Sequence, residues 1–481
     1  MPILVAMRGG IVLVLVGLAL AAGLCAPAGA ATGDYLGVSV GTLFDAERDF
    51  VPGGASQLDS LGRTGIPVAR VDATWHSVEP YGPYPGFARN WVAADRIAGA
   101  LALRRIRWFP ILGYATPWST SAAGTDKAGP ANHAYFASYA AGVAQRFGPG
   151  GTFWQAHPEL PYLPVTAMEL WNEPNLRAYW RPEPDGATYA SLYLATRSAV
   201  HEVMPDVKVI TGGLSPYAQP EAFLRTMFAA RPDLAGNLDG VGIHPYAAGP
   251  AQVMDVIVSI RETLRSLGAG GVPIAATELG WPRPNQSPNA AFAIPDATRA
   301  GDIGLISDAL PVSDCNVDRL LMFTWTTPEA NPVEQEDWFG LVHPDGAPTA
   351  AAGALAAASL RELPAGAPLA VCGGAPATAA PLALDMKVTR ARGDQGRTCA
   401  RAVVTYRGLP VNRIPVEYVQ GANRAAIAGD DDGHTERCFS RPGRIRIQAK
   451  AGRWAASTPT TVRSLRKPTP KKPKKRPARR G

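Results

Sequence analysis

The sequence predicts an α/β protein, a (β/α)8 TIM barrel carrying a small C-terminal all-β domain that reads as an Ig-like sandwich. Three observations predict it. Short apolar runs alternate with helical patterns eight times between residues 35 and 362. The composition then shifts to a Pro/Ala/Gly-rich stretch, followed by β-type runs separated by Gly, Asp and Asn turns. Finally, a glutamate lies just past the fourth apolar run and another ends the seventh, and in a parallel barrel the strand C-termini are where reactive groups gather.

The eight strand candidates are 35–41, 66–72, 106–113, 165–171, 207–212, 240–244, 273–278 and 319–325. Between them, 91–105, 134–147, 189–204 and 253–267 carry apolar residues at helical spacing, and Asp185 precedes the third as an N-cap. Strand–helix alternation at this length calls for a parallel sheet with helices outside. A doubly wound open sheet is the rival. Its nucleotide-binding forms carry a glycine-rich turn after the first strand, and neither G-x-G-x-x-G nor a P-loop occurs there.

The domain plan is then a signal peptide at 1–30, a barrel at 31–363, a linker at 364–382, a sandwich at 383–463 and a basic tail at 464–481. Arg8, the apolar run 11–24 and Ala28-Gly29-Ala30 have the charge, length and small residues of a cleaved export signal. Cleavage near Ala30 removes Cys25 and leaves Cys315, Cys372, Cys399 and Cys438. An even count in an exported chain suggests two disulfides. Four cysteines admit three pairings, and proximity favours Cys315–Cys372 with Cys399–Cys438. Their spacing is not that of a zinc site.

The net charge of +7 is a property of the tail. Residues 463–481 hold ten Lys or Arg and no acid, so the rest of the chain sums to −3. Such a tail is expected to contact anionic cell-wall polymers or lipid headgroups, or simply to be solvated. Nucleic acid is a poor partner for an exported chain.

The chemistry is concentrated in Trp171-Asn172-Glu173-Pro174-Asn175 and Thr277-Glu278-Leu279-Gly280-Trp281. Two carboxylates in different surroundings, facing each other across a barrel mouth, are what cleavage of a glycosidic bond requires. One donates a proton to the leaving oxygen and the other attacks the anomeric carbon. No metal or organic cofactor is implied, because the two carboxylates suffice.

On these two motifs the chain resembles glycoside hydrolase clan A, the retaining β/α-barrel glycosidases, and is nearest to its family 39-like or family 5 cellulase-like members. The resemblance implies that Glu173 is the acid/base, that Glu278 is the nucleophile and that Asn172 binds the sugar 2-hydroxyl. It further implies that Arg70 sits beside the nucleophile and that His244 and Tyr246 form an H-x-Y pair whose Tyr hydroxyl touches it. Trp325 is the expected aromatic floor under the sugar.

Glu169, four residues before Glu173, is expected to point the same way but deeper, in a structural role. Trp75, Trp118, Trp281 and Trp338 are either outer sugar platforms or core. Glu79, Glu336 and Asp337 read as loop or rim residues. The resulting expectation is a secreted or cell-wall-associated enzyme hydrolysing a β-linked poly- or oligosaccharide. A carbohydrate-binding protein on a silent barrel and a transglycosidase remain open beside it.

Overall fold

The computed structural model describes residues 33–45, 47–82, 87–287, 292–361, 369–373, 379–393 and 397–464. The expected signal peptide, nearly all of the basic tail and parts of the linker lie outside these residues. No helix among the described residues is long and apolar enough to cross a membrane.

Eight parallel strands form the barrel: β1 (Leu36–Ser39), β2 (Val68–Thr74), β3 (Arg107–Gly113), β4 (Ala167–Leu170), β5 (Lys208–Thr211), β6 (Val241–Ile243), β7 (Ile274–Leu279) and β8 (Val317–Met322). Each coincides with one predicted run. Continuous pairing runs from β5 through β4, β3, β2, β1, β8 and β7 to β6. The ring closes between β5 and β6, where Thr211 N–H donates to Gly240 O, Leu214 N–H to Gly242 O and His244 N–H to Leu214 O.

Alternation along the strands stacks the interior in layers. The bottom layer is apolar: Val68, Phe109, Ala167, Ile210, Ala275 and Leu321. β1 contributes Gly37 here because a Cβ would lie 2.5 Å from Leu321 Cδ2 and 2.7 Å from Val68 O. Two residues further along β2, β4 and β7 the same inward positions are Arg70, Glu169 and Thr277, so the barrel turns polar towards its mouth.

The helices Val92–Ala102, His133–Phe147, Gly186–Val203 and Pro250–Ser266 occupy the predicted stretches. Asp185 caps the third, its Oδ1 accepting from Ala187 N and Thr188 N. The helix Asp296–Ala309 is different, because it is buried on nearly every side. A helix enclosed in this way is covered on both sides, and the C-terminal domain supplies the outer cover.

That domain is a β-sandwich spanning Leu382 to Ser464. One ladder joins Leu382–Arg392, Thr398–Tyr406 and His434–Phe439, and the other joins Pro415–Gln420, Asn423–Ala428, Gly443–Ala451 and Thr460–Ser464. The Tyr418 and Thr435 hydroxyls meet at 2.6 Å in the buried space between the two ladders. Cys399–Cys438 and Cys315–Cys372 are both disulfide-bonded, the pairing that proximity favoured. Cys399 and Cys438 are register partners on neighbouring strands, so this bond lies within one ladder and does not join the two.

The sandwich is tied directly to the buried helix. Asp302 Oδ1 accepts from Asn412 N at 2.9 Å, and Asp308 Oδ2 accepts from the Tyr406 hydroxyl at 2.7 Å and from Arg407 Nε at 3.0 Å. Gly301 permits the approach, since a Cβ there would be 2.0 Å from Pro410 O.

Candidate active site

The polar layer above the apolar floor is organised by Arg70, which is 4% exposed. Its Nε donates to Glu169 Oε2 at 2.6 Å, its Nη1 to Glu278 Oε1 at 2.5 Å and its Nη2 to Asn172 Oδ1 at 2.8 Å. Burial works to lower the guanidinium pKa, but the charges of Glu169 and Glu278 outweigh burial and hold it above the ordinary value. Glu169 is completely buried and fully engaged, its Oε1 accepting from Gly213 N at 2.7 Å and from Thr277 Oγ1 at 2.8 Å. It holds Arg70 in place, which is the structural role expected of it.

The segment after β4 presents Asn172 and Glu173 by an unusual backbone. Trp171 (φ 69°) and Glu173 (φ 43°) both adopt the left-handed conformation that side chains with a Cβ rarely take. The surroundings fix this turn. Trp171 Nε1 donates to Tyr179 O at 2.6 Å, and Leu176 N to Glu173 O at 2.9 Å. Asn175 clamps the neighbouring loop by accepting from Ser215 N at 2.9 Å and donating to Ser215 O at 2.8 Å. Non-glycine residues held at positive φ against a cost of roughly 1–3 kcal/mol each cluster at functional sites.

Glu278 is near the end of β7. Besides Arg70, it meets the Tyr246 hydroxyl, which donates to its Oε2 at 2.9 Å. Burial, then the charge of Glu278, push the Tyr246 pKa well above its ordinary value, so this hydroxyl stays a donor. His244, wholly buried just past β6, turns Nδ1 towards both carboxylates, 3.1 Å from Glu173 Oε1 and 3.5 Å from Glu278 Oε2. Burial works to lower its pKa, but the charge of Glu278 and the hydrogen bond to Glu173 raise it. The ring is seated against Gly213, where a Cβ would come within 2.1 Å of Nε2.

Two cavities adjoin Glu278. One, of 240 Å³, is lined by residues including Arg70, Asp72, Tyr114, Asn172, Tyr179, Glu278 and Phe323. The other, of 280 Å³, is lined by residues including Glu173, Tyr217, Tyr246, Glu336 and Phe339, and shares Asn172, Tyr179, Glu278 and Phe323 with the first. Burial and the charges of Glu173 and Glu278 push the Tyr179 pKa up to about 12, so it too stays a neutral donor.

Of the seven residues singled out from the sequence, Glu173, Glu278, Arg70, Asn172, His244 and Tyr246 are brought together here. Trp325 is not. It is 1% exposed and lines neither cavity. The aromatic rings lining both chambers are those of Tyr179 and of Phe323, two residues before Trp325. Trp75 and Trp281 are core side chains, and Trp118 and Trp338, both half-buried, line neither cavity. Glu336 is exposed at the mouth of the second cavity, the rim position expected of it. Tyr179, Phe323 and Asp72 escaped the sequence reading. Asp72 alone left a signal, its parity with Arg70 on β2.

The structure aligns over most of its length with solved glycoside hydrolases. A family 39 glycoside hydrolase from Bacteroides cellulosilyticus matches at a TM-score of 0.51 and 18% identity, covering 83% of this chain and 80% of the other. A family 39 β-xylosidase from Caulobacter crescentus matches at 0.51 and 19%, covering 80% and 81%. A glucosidase from Croceicoccus marinus matches at 0.54 and 15%, covering 90% and 92%. The chain shares the fold of these glycoside hydrolases. The expected barrel-plus-sandwich architecture is thereby borne out over both parts of the molecule. No protein-family model and no curated protein matches the sequence.

Proposed function

We propose that the protein is an exported retaining glycoside hydrolase acting on a β-linked poly- or oligosaccharide, with Glu278 as nucleophile and Glu173 as acid/base. The observation that carries this reading is the position of His244 Nδ1 between two carboxylates with unlike partners. Its distances to Glu173 Oε1 and Glu278 Oε2 are 3.1 and 3.5 Å, so those two oxygens are less than about 7 Å apart. That limit admits the roughly 5–5.5 Å of double displacement and leaves out most of the ~6.5–9.5 Å range of inverting enzymes.

The two partner sets divide the labour. Glu278, paired with a guanidinium and a phenol, is stabilised as the charged attacking group. Among the described residues Glu173 has no cationic side chain other than His244 against it, and it faces the second cavity, where a leaving group would sit. In the first step a Glu278 oxygen bonds the anomeric carbon while the C–O bond to the leaving group breaks and that oxygen takes the Glu173 proton. In the second step Glu173 takes a proton from water, whose oxygen bonds the anomeric carbon and displaces Glu278. Asn172 accepts from Arg70 through Oδ1, and no described residue accepts from its Nδ2, which leaves that amide for the sugar 2-hydroxyl.

The similar proteins named above as a xylosidase and a glucosidase make aryl β-xylosides and β-glucosides the first substrates to try, followed by a panel of polysaccharides. The wild type is expected to hydrolyse at least one with retention of anomeric configuration, read by proton NMR. Glu278→Ala is expected to abolish the activity. Inversion would reject Glu278 as nucleophile, and silence in both proteins with glycan binding retained would make the chain a carbohydrate-binding protein.

A further inference from the structure

The first cavity holds a carboxylate that the proposed reaction does not use. Asp72 occupies the third inward position of β2, after Val68 and Arg70, and lines the 240 Å³ chamber with Glu278 and Asn172. Glu173 is absent from that chamber and faces the other. Because the acid must meet the leaving-group oxygen, the Glu173 side receives the leaving group and the Asp72 side receives the glycon. This assignment rests on the function proposed above. The chamber falls below the ~300–1,000 Å³ of pockets for drug-sized ligands, and suits a single sugar ring.

Inside it, the charged groups are not equally available. Arg70 is engaged through all three of its nitrogens by Glu169, Glu278 and Asn172. Glu278 is occupied by Arg70 and Tyr246. Among the described residues Asp72 has one hydrogen-bonding partner, Arg48 Nη2, 3.3 Å from Oδ2, and its Oδ1 accepts from none. The side chain is 29% exposed, and that exposure opens into the cavity. Lys127, whose Nζ lies over the Tyr114 ring of the same chamber, adds a second cation within electrostatic reach of Asp72. A carboxylate held from behind by a cation, with one oxygen open to a sugar-sized space, is a ready acceptor for hydroxyl protons.

We infer that Asp72 is a specificity-determining residue that accepts hydrogen bonds from ring hydroxyls of a neutral glycon, at positions beyond the 2-hydroxyl that Asn172 serves. A glycon carrying its own carboxylate would be repelled by Asp72, although Arg48 and Lys127 stand just behind. Exchanging the acid for its amide removes the repulsion and leaves both cations.

The test compares wild type with Asp72→Asn on aryl β-glucoside, β-xyloside and β-galactoside, on the 3- and 4-deoxy analogues of the best of these, and on aryl β-glucuronide. Sites built to bind a hydroxyl reject the analogue lacking it by up to ~10⁴–10⁵-fold. The variant is therefore expected to lose about 100-fold or more in kcat/KM on the best neutral glycoside. On the analogue missing the contacted hydroxyl, the two proteins should differ by less than about 3-fold. The ratio of glucuronide to glucoside activity should rise in the variant. An equal loss on the parent and on every deoxy analogue would overturn the inference and make Asp72 a support for Arg48. If Asp72→Asn does not fold, Asp72→Glu must show the same selective loss. If wild type hydrolyses nothing, the hydrolase reading fails separately, and calorimetry with the free monosaccharides decides for Asp72: binding lost in the variant upholds it, and no binding by wild type ends it.

Discussion

His244 shows how much of the site depends on one ring. It has no exposure, meets both carboxylates through the same nitrogen and rests its other nitrogen against Gly213. Gly213 is thus a glycine for two reasons, the space taken by the ring and the N–H it gives to Glu169. Gly213→Ala keeps the N–H but puts a methyl into a filled space, which typically costs about 1–3 kcal/mol. The variant is expected to unfold at a lower temperature and to lose activity beyond what that instability explains, as measured by thermal melts and kinetics well below the melting temperature. The acid role proposed for Glu173 makes a sharper prediction. General acid catalysis contributes about 10²–10⁴-fold, so Glu173→Gln should lose that much on an alkyl glycoside and far less on a dinitrophenyl glycoside, whose leaving group needs no proton. Equal losses on both would remove Glu173 from that role.

The buried helix Asp296–Ala309 makes its own prediction through Asp302. Burial, with Asp431 nearby, raises the Asp302 carboxyl well above the usual range, and its Oδ2 is buried with no described partner. The folded protein therefore keeps a proton there that the unfolded chain releases as pH rises past about 3.9. Where the unfolded state binds fewer protons, stability falls with rising pH. Asp302→Asn cannot titrate and should melt higher than wild type at pH 7, by roughly 1 kcal/mol or more, with the gap closing towards pH 3.5. A gap that stays constant across this range would show that Asp302 does not titrate at the junction. Legibility also varied by element. The strands were readable because burial on both faces makes short apolar runs between turns, and inward parity fits Arg70 and Glu169, whereas Glu278 follows Thr277 across a register irregularity of β7 and was found by its motif alone. Parity failed at Trp325, because β8 ends at Met322. Beyond it Trp325 N bonds Ser39 O, and Trp325 O accepts from Val342 N, which draws the residue into the wall beside β1. Tyr179 was unreadable because it sits on a loop, where no period tells which side chains face inward.

At the scale of the whole molecule, the motifs located the two carboxylates proposed to be catalytic, while loop residues of the site and the fit between the barrel and the sandwich left no such signal. That fit went unforeseen. A Pro/Ala/Gly-rich stretch suggests a hinge between independent bodies, whereas Gly301 against Pro410, Asp302 with Asn412 and Asp308 with Tyr406 join the two as one packed interior. A chain ending at residue 363 would bare the helix around Gly301 and strip Asp302 and Asp308 of their partners in the sandwich. It is expected to be insoluble or to melt well below the full chain, as scanning calorimetry would show, and a soluble truncation with wild-type stability would separate the two parts after all. The consequence reaches past this chain's own stability. A catalytic barrel whose outermost helix is finished by another domain cannot be passed around as a cassette: fusing it to a foreign binding module, or exchanging its sandwich for a relative's, would succeed only where the borrowed domain carries a turn able to meet a glycine in the middle of that helix.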